Sequence, residues 1–472
     1  MKIDCQLDYR TILINQAQPV HAVLKLTAEK RLSERKTPLA FCAVLDRSGS
    51  MQGKPLDYAK KACETVVRNL NKDDSFSLVV FDDEAQVVFP LQSITRKDEL
   101  LGRIKAIQSG GSTNLTGGWM LGRDELKKAV KDVPRRVLLL TDGQLNVGII
   151  EPTQVERVVT GGLETDRVRT TCLGFGDNYV EDLLRQLAKC SGGEFYDADS
   201  PEKLPTIFKS ELQGLQQISA QNVRVRLKPL DFCDALGQLS DYPVTFLPDK
   251  RIELAIGDLI SEEDRVLVLL ARALPLPLVN GEPVASLEGE KFLELEILWD
   301  EIGDKEIKSC RHEQVVRISG TQNPDEIKLN EETVAWIAVQ CAGKTLDEAT
   351  KDVDADRLDD AKGKLRQTLE FLRRYKLDDK AADGIRLLQD FLTRLESGEL
   401  TLRERKTSSY SSSYYRKGSS MRAWSSPNAK PSFSKVQSVE EQMHTESDES
   451  GSGAGTKPPE NNPKPPPSKK SK

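Results

Sequence analysis

The stretch Ala40–Pro55, AFCAVLDRSGSMQGKP, decides how the chain is read. Ala40 to Leu45 form an unbroken apolar run, as expected of a strand covered on both faces of a sheet. The run ends in Asp46, and Ser48 and Ser50 follow at alternate positions. On an extended segment alternate side chains point the same way. Three oxygen donors are therefore expected to converge just past the carboxyl end of a buried strand, the edge where open α/β sheets bind their ligands. One carboxylate and two hydroxyls are hard donors, suited to Mg²⁺ and similar ions rather than to Zn²⁺.

Working outward, the same rhythm continues on both sides. PLDYAKKACETVVRNL carries an apolar helical stripe at Leu56, Ala59, Cys63, Val66 and Leu70, with Pro55 placed to start it. Strands are expected at SFSLVVFD, AQVVFPL (an edge strand), RRVLLLTDG, VRTTCLGFG and GEFYDA. Helices are expected at DELLGRIKAI, TGGWMLGRDELKKAV, EDLLRQLAKC and PEKLPTIFKSELQGL. This alternation predicts an α/β fold, a mostly parallel sheet with helices on both faces, over residues 38–218. Two more loops should reach the edge that holds Asp46. QSGGSTNLTGG offers Thr113 from a loop whose glycines allow close backbone approach. LLLTDGQ ends a buried strand in Thr141 and Asp142.

Asp-x-Ser-x-Ser, a loop threonine and a strand-end Thr-Asp-Gly together resemble the metal-ion-dependent adhesion site of von Willebrand factor A domains. The resemblance implies a Rossmann-like domain. It also implies a metal set of Asp46, Ser48, Ser50, Thr113 and Asp142, with the serines as direct ligands and the aspartates binding directly or through water. Mg²⁺ is the expected cofactor, and Mn²⁺ or Ca²⁺ meets the same chemistry. Two carboxylates only neutralise such an ion, which leaves it receptive to an Asp or Glu from a protein partner. RTTCLGFGDNYVEDLLRQLA, GGEFYDADSPEKLPTIFKSEL and IGDLISEEDRVLVLL further resemble bacterial members of this family and inter-alpha-trypsin inhibitor heavy chains. The alternative for Asp46 is a helix cap with the serines satisfying a turn.

Around this domain, KIDCQLDY and VHAVLKLT alternate like half-buried antiparallel strands, and alternation returns after residue 219 in NVRVRLKPL and its successors. Residues 1–37 are expected to pair with strands of 219–322 in a β-sandwich-like, β-rich domain, with the α/β domain inserted between them. Residues 323–400 are expected to be helical. Residues 401–472, rich in Ser, Lys and Pro, are expected to be a disordered tail, because such a segment has little apolar surface with which to offset its ordering entropy.

Other signals fail on inspection. GSMQGKP has too few residues between Gly49 and Gly53 for a phosphate loop, and Pro55 stands where Ser or Thr is needed. DVDADRLDDAKG begins like a calcium loop, but Arg357 replaces the glycine and Gly363 the final glutamate. The three histidines, His21, His312 and His444, lie far apart, so no nucleophile–histidine relay is evident.

A net charge of −6 argues against nucleic acid as a partner, no apolar run is long enough to cross a membrane, and the eight cysteines form no C-x-x-C pair. The N-terminus carries no apolar export signal, so a cytoplasmic location is expected. The resulting expectation is a non-enzymatic, metal-dependent protein-binding scaffold whose partners include kinase or phosphatase signalling proteins. An adaptor for a MoxR-type AAA+ ATPase is the alternative. A Mg²⁺-dependent phosphoesterase is disfavoured, because the motifs supply metal ligands and no general base.

Overall fold

The computed structural model describes residues 1–418 apart from 31–37, 131–132, 143–144, 176–178, 199–200, 276–277, 280–281, 284–285, 303–306 and 374–378. The chain opens with β1 (Lys2–Leu7), β2 (Thr11–Leu13) and β3 (Gln18–Thr27). It then builds β4 (Ala40–Asp46), α1 (Lys54–Asn69), β5 (Ser75–Phe81), β6 (Ala85–Ser93), α2 (Lys97–Lys105), α3 (Leu115–Leu126) and β7 (Arg135–Thr141). After these come α4 (Pro152–Asp166), β8 (Val168–Phe175), α5 (Glu181–Cys190), β9 (Phe195–Ala198) and α6 (Leu204–Gln216).

The sheet order is β6-β5-β4-β7-β8-β9, parallel throughout except for the antiparallel edge strand β6. Every residue of β4 is buried, because β4 lies between two strands and beneath helices on both faces. Phe41, Ala43 and Leu45 join the core over α1 and α6, whereas Ala40, Cys42 and Val44 join the core containing Trp119 of α3 and Leu184 of α5. The alternation of Cβ directions along a strand produces that division. Helix α4 has no counterpart among the helices expected from the sequence. Its Gly161–Gly162 pair and interrupted apolar stripe obscure the helical period, although Pro152 marks its start.

The remaining strands are β10 (Ile218–Pro229), β11 (Cys233–Gln238), β12 (Val244–Phe246), β13 (Ile252–Ile260) and β14 (Asp264–Ala273). They continue with β15 (Leu278–Val279), β16 (Glu282–Pro283), β17 (Ser286–Ile302) and β18 (Ile307–Thr321). One sheet has the order β1-β3-β14-β11 and another β12-β13-β10-β17-β18-β2. Strand β3 runs antiparallel to β14 from Gln18↔Ala273 to Thr27↔Asp264, and β2 lies parallel to β18. Leu24, Leu26, Val225, Leu254, Leu267, Leu295 and Ile297 share the core these two sheets enclose.

Helices α7 (Glu331–Asp354), α8 (Leu358–Leu372) and α9 (Asp379–Ser397) follow. The next element corrects the expectation of a disordered tail from residue 401. Helix α10 (Leu402–Lys417) opens with a capping box between Thr401 and Glu404 and buries Lys406, Ser408, Ser409, Ser411 and Ser412. It packs against α7 and β9, the strand that ends the parallel sheet, and so covers an edge whose backbone would otherwise be open to pairing. The composition argument fails here because most polar groups of the helix find partners, Ser413 Oγ being an exception among the described residues. Arg403 donates to both carboxylate oxygens of Asp197 at 3.0 and 2.8 Å. Lys406 Nζ donates to the Tyr179 carbonyl at 3.1 Å and lies 3.7 Å from the centre of that ring. Lys417 Nζ reaches Glu194 at 2.6 Å. The rest of the expected tail, from residue 419, lies outside the described residues.

Candidate metal centre

Strands β4 and β7 are neighbours at the middle of the parallel sheet, and both end at the same edge, in Asp46 and in Thr141 followed by Asp142. Asp46 is fully buried. One of its oxygens accepts from the Ser48 backbone N–H at 2.8 Å, and the other accepts from the Thr141 hydroxyl at 2.5 Å. The chain then makes a short 3₁₀ turn, Gly49–Met51, anchored by the buried Met51 side chain. That turn brings Ser48 Oγ and Ser50 Oγ to 3.1 Å, and Ser50 Oγ donates to Asp142 Oδ1 at 2.9 Å. The serines thus converge through a turn, and not through the extended alternation expected from their spacing.

The loop carrying Thr113 is laced to this turn through backbone. Gly49 N–H donates to Gly111 O at 2.8 Å, and Gly110 N–H donates to Arg47 O at 2.6 Å. The loop sits close against two carboxylates: a Cβ at Gly110 would lie 1.9 Å from Asp82 Oδ2, and one at Gly111 would lie 1.9 Å from Asp83 Oδ2, so a larger residue would have to displace them. Arg47 in turn pairs with Asp82 at 2.9 Å. Of the five expected ligands, Asp46, Ser48, Ser50 and Asp142 form one connected group. Thr113 is buried on the adjoining loop, and among the described residues its hydroxyl makes no hydrogen bond with the other four.

The charges at this edge are out of balance. Burial pushes the Asp46 carboxyl up to about 6, with Asp142 adding to the rise and the Thr141 and Ser48 hydrogen bonds opposing it. Burial also raises Asp142, against the bond from Ser50. Among the described residues no lysine or arginine pairs with either carboxylate. Two acids are thus held in a poorly solvated place without a counter-charge, a costly arrangement that a cation would relieve. No group of three or more His, Cys, Asp or Glu side chains is arranged to hold a metal among the described residues; the other candidate donors here are hydroxyls.

The spacing fits such an ion. Octahedral Mg²⁺ takes oxygens at about 2.1 Å, so neighbouring ligands stand about 3.0 Å apart. The observed oxygen separations are 3.1 and 2.9 Å.

Residues 42–210 match the family model for the von Willebrand factor type A domain. This segment is a von Willebrand factor A domain. An uncharacterised protein of Synechocystis sp. is 28% identical over 262 residues, 53% of this chain and 61% of that protein. Inter-alpha-trypsin inhibitor heavy chain H4 of Bos taurus is 28% identical over 179 residues, 35% of this chain and 19% of the relative. The aligned regions thus span less than two thirds of these relatives' lengths. Among solved structures, a von Willebrand factor type A protein from Catenulispora acidiphila superposes with a TM-score of 0.66 at 16% identity. That superposition covers 89% of this chain and 97% of the other, so the similarity of fold extends well beyond the von Willebrand A domain.

Sequence reasoning did not single out Thr141 as the residue that orients Asp46, although the quoted Thr-Asp-Gly contained it. Asn146 was missed as well. Its side-chain oxygen accepts from the Thr113 backbone N–H at 2.7 Å, and it stands only four positions beyond Asp142.

Proposed function

We propose that this chain is a non-enzymatic protein-binding scaffold whose von Willebrand A domain captures an acidic side chain of a protein partner through a divalent cation, with Mg²⁺ the expected ion. Ser48 and Ser50 would ligate the cation directly. Asp46 and Asp142 would neutralise it, directly or through water, and Thr113 would join from the adjoining loop. A bound Mg²⁺ would supply Lewis-acid attraction for an external carboxylate.

The observation that carries this reading is the oxygen chain from Ser48 through Ser50 to Asp142, spaced like neighbouring ligands of an octahedral ion and, among the described residues, paired with no lysine or arginine. The protein's part is to hold these donors in place: Thr141 fixes Asp46, Met51 anchors the turn, and the Gly49–Gly111 bond keeps the loops together. Binding is favoured over catalysis because, among the described residues, the edge offers candidate ligands without a histidine beside them. His21 pairs with Asp8 in the β1–β3 region and His312 lies on β18, both outside the parallel sheet.

The test is calorimetric titration of the full chain with Mg²⁺, joined to a pull-down from the source cell. One Mg²⁺ per chain is expected, with uptake lost in Asp46→Ala and Ser48→Ala. Partner retention is expected in Mg²⁺ and lost in EDTA and in both variants. Partner binding indifferent to EDTA and to both substitutions would overturn the reading.

A further inference from the structure

Segments 113–116 and 146–149 are bound to each other more closely than two loops meeting at an edge require. Thr113 has both of its backbone polar groups engaged from the second segment. Its N–H donates to Asn146 Oδ1 at 2.7 Å, and its carbonyl accepts from Asn146 N–H and Val147 N–H at 3.3 Å each. One helical turn on, Ile149 N–H donates to Thr116 Oγ1 at 3.1 Å. Gly148 makes the contact close: its φ is +81°, and a Cβ there would lie 2.4 Å from Asn114 Oδ1 and 2.9 Å from Thr116 Oγ1. Asn114 is already committed to capping α3 through Gly117 N–H at 2.9 Å. The first segment is therefore held between its own helix and the loop that follows Asp142.

This arrangement has a consequence for the ligand set. Thr113 is buried while Asn146 is exposed, so the hold on the threonine comes from a solvent-facing side chain that nothing in the core demands. An amide is suited to the task, since it accepts a backbone hydrogen bond without adding charge next to a site that already carries two acids. We propose that Asn146 is a positioning residue of the metal centre, clamping Thr113 to the loop of Asp142 so that ligands from two loops move as one group. The inference rests on the metal reading above and adds to it the pattern Thr141-Asp142-x-x-x-Asn146-x-Gly148.

The experiment uses the full chain with Mn²⁺ as an EPR-visible probe, in wild type, Thr113→Ala, Asn146→Ala, the double variant and Asn146→Asp. Asn146→Ala is expected to weaken Mn²⁺ binding by roughly 10- to 100-fold, the usual effect of removing a group that orients a ligand. It should add nothing once Thr113 is already alanine, because the two act in series. Asn146→Asp keeps the accepting oxygen and should restore binding. In metal-free protein the Thr113 amide should exchange with solvent faster in Asn146→Ala than in wild type. Unchanged Mn²⁺ affinity in Asn146→Ala, or a loss that adds in full to that of Thr113→Ala, overturns the proposal while leaving the metal reading in place. Wild type that takes up no Mn²⁺ overturns that reading, and this role with it.

Discussion

Two regions of the molecule are built from hydroxyl-bearing and acidic residues, and they use these residues in opposite ways. At the edge of β4 and β7, Asp46 and Asp142 are answered among the described residues only by hydroxyls and backbone N–H groups. Around α10 the carboxylates are answered by cations of the chain itself. Asp197 takes Arg403, Glu194 takes Lys417, and Asp347 takes Arg185 and Arg416. Acids with internal cations beside them hold a structure together. At the β4–β7 edge, under the proposed reading, acids without them keep a place for a cation from solution. The difference lies in the partners and not in the composition, which is why two serine-rich stretches of one chain part company so completely.

If that distinction is right, its largest consequence falls on Arg403. The Asp197 side chain is 3% exposed. Arg403→Met would leave this carboxylate with the Tyr179 hydroxyl, which donates to it at 2.5 Å, but without its bidentate cation, and breaking a buried pair typically costs about 3 kcal/mol. Urea unfolding of the full chain checks it. A loss below about 0.5 kcal/mol, the usual range for an exposed surface position, would mean that α10 is decoration on β9 and that the contrast fails.

Glu181 sharpens the comparison, because it is the least compensated acid in the α10 region. It is buried, and one carboxylate oxygen has no hydrogen-bond partner among the described residues. Burial pushes it up to about 7, with the Ser409 hydrogen bond and Arg185 opposing the rise and Asp197 and Asp182 adding to it. A carboxyl raised in the folded state favours folding while protonated. Its contribution is complete below the unfolded value of about 4.5 and is lost as pH climbs through about 7. The shift corresponds to about 3 kcal/mol as an upper figure. Glu181→Gln should therefore flatten the fall in stability between pH 5 and pH 8, read from thermal unfolding across that range. A variant whose pH profile parallels wild type would show that Glu181 ionises freely in the fold.

How far the sequence could reveal each region follows from the same contrast. Asp46, Ser48 and Ser50 were legible because the donors sit within one short stretch at the end of an apolar run, and Thr141-Asp142 ends a second such run. The parallel sheet was legible for the same reason: Leu138–Leu140 and Val44–Leu45 are buried on both faces and carry no polar break. Helix α10 was illegible because its partners are distant in sequence, Asp197 and Glu194 on one side and Asp347 on the other. Its own text, SSYSSSYYRK, carries almost no apolar stripe. The Thr401–Glu404 capping box was there to be read, but a start signal without a periodic face does not specify burial. Asn146 went unread because an amide four residues past Asp142 has no meaning until the second loop is placed beside it.

The smallest expected effect is also the most direct test of the contrast, since it sets serine against serine. Ser411 is fully buried, and its hydroxyl donates to the Thr407 carbonyl at 2.6 Å, inside its own helix. Such a back-bond adds little to a carbonyl already engaged in the helix, and alanine is the better helix former. Ser411→Ala should therefore leave unfolding stability within about 0.5 kcal/mol of wild type and leave Mg²⁺ uptake unchanged. Ser50, in contrast, is exposed and among the described residues bonds only sideways, to Ser48 and to Asp142. Ser50→Ala should be just as mild toward folding in EDTA, yet it should abolish the stabilisation that Mg²⁺ gives, which for wild type reaches about 2.7 kcal/mol at a hundred times the dissociation constant. Thermal unfolding of both variants with and without Mg²⁺ separates the two roles. Equal behaviour of the two serines in Mg²⁺ would remove the reason for treating the β4 edge as anything but a well-bonded turn.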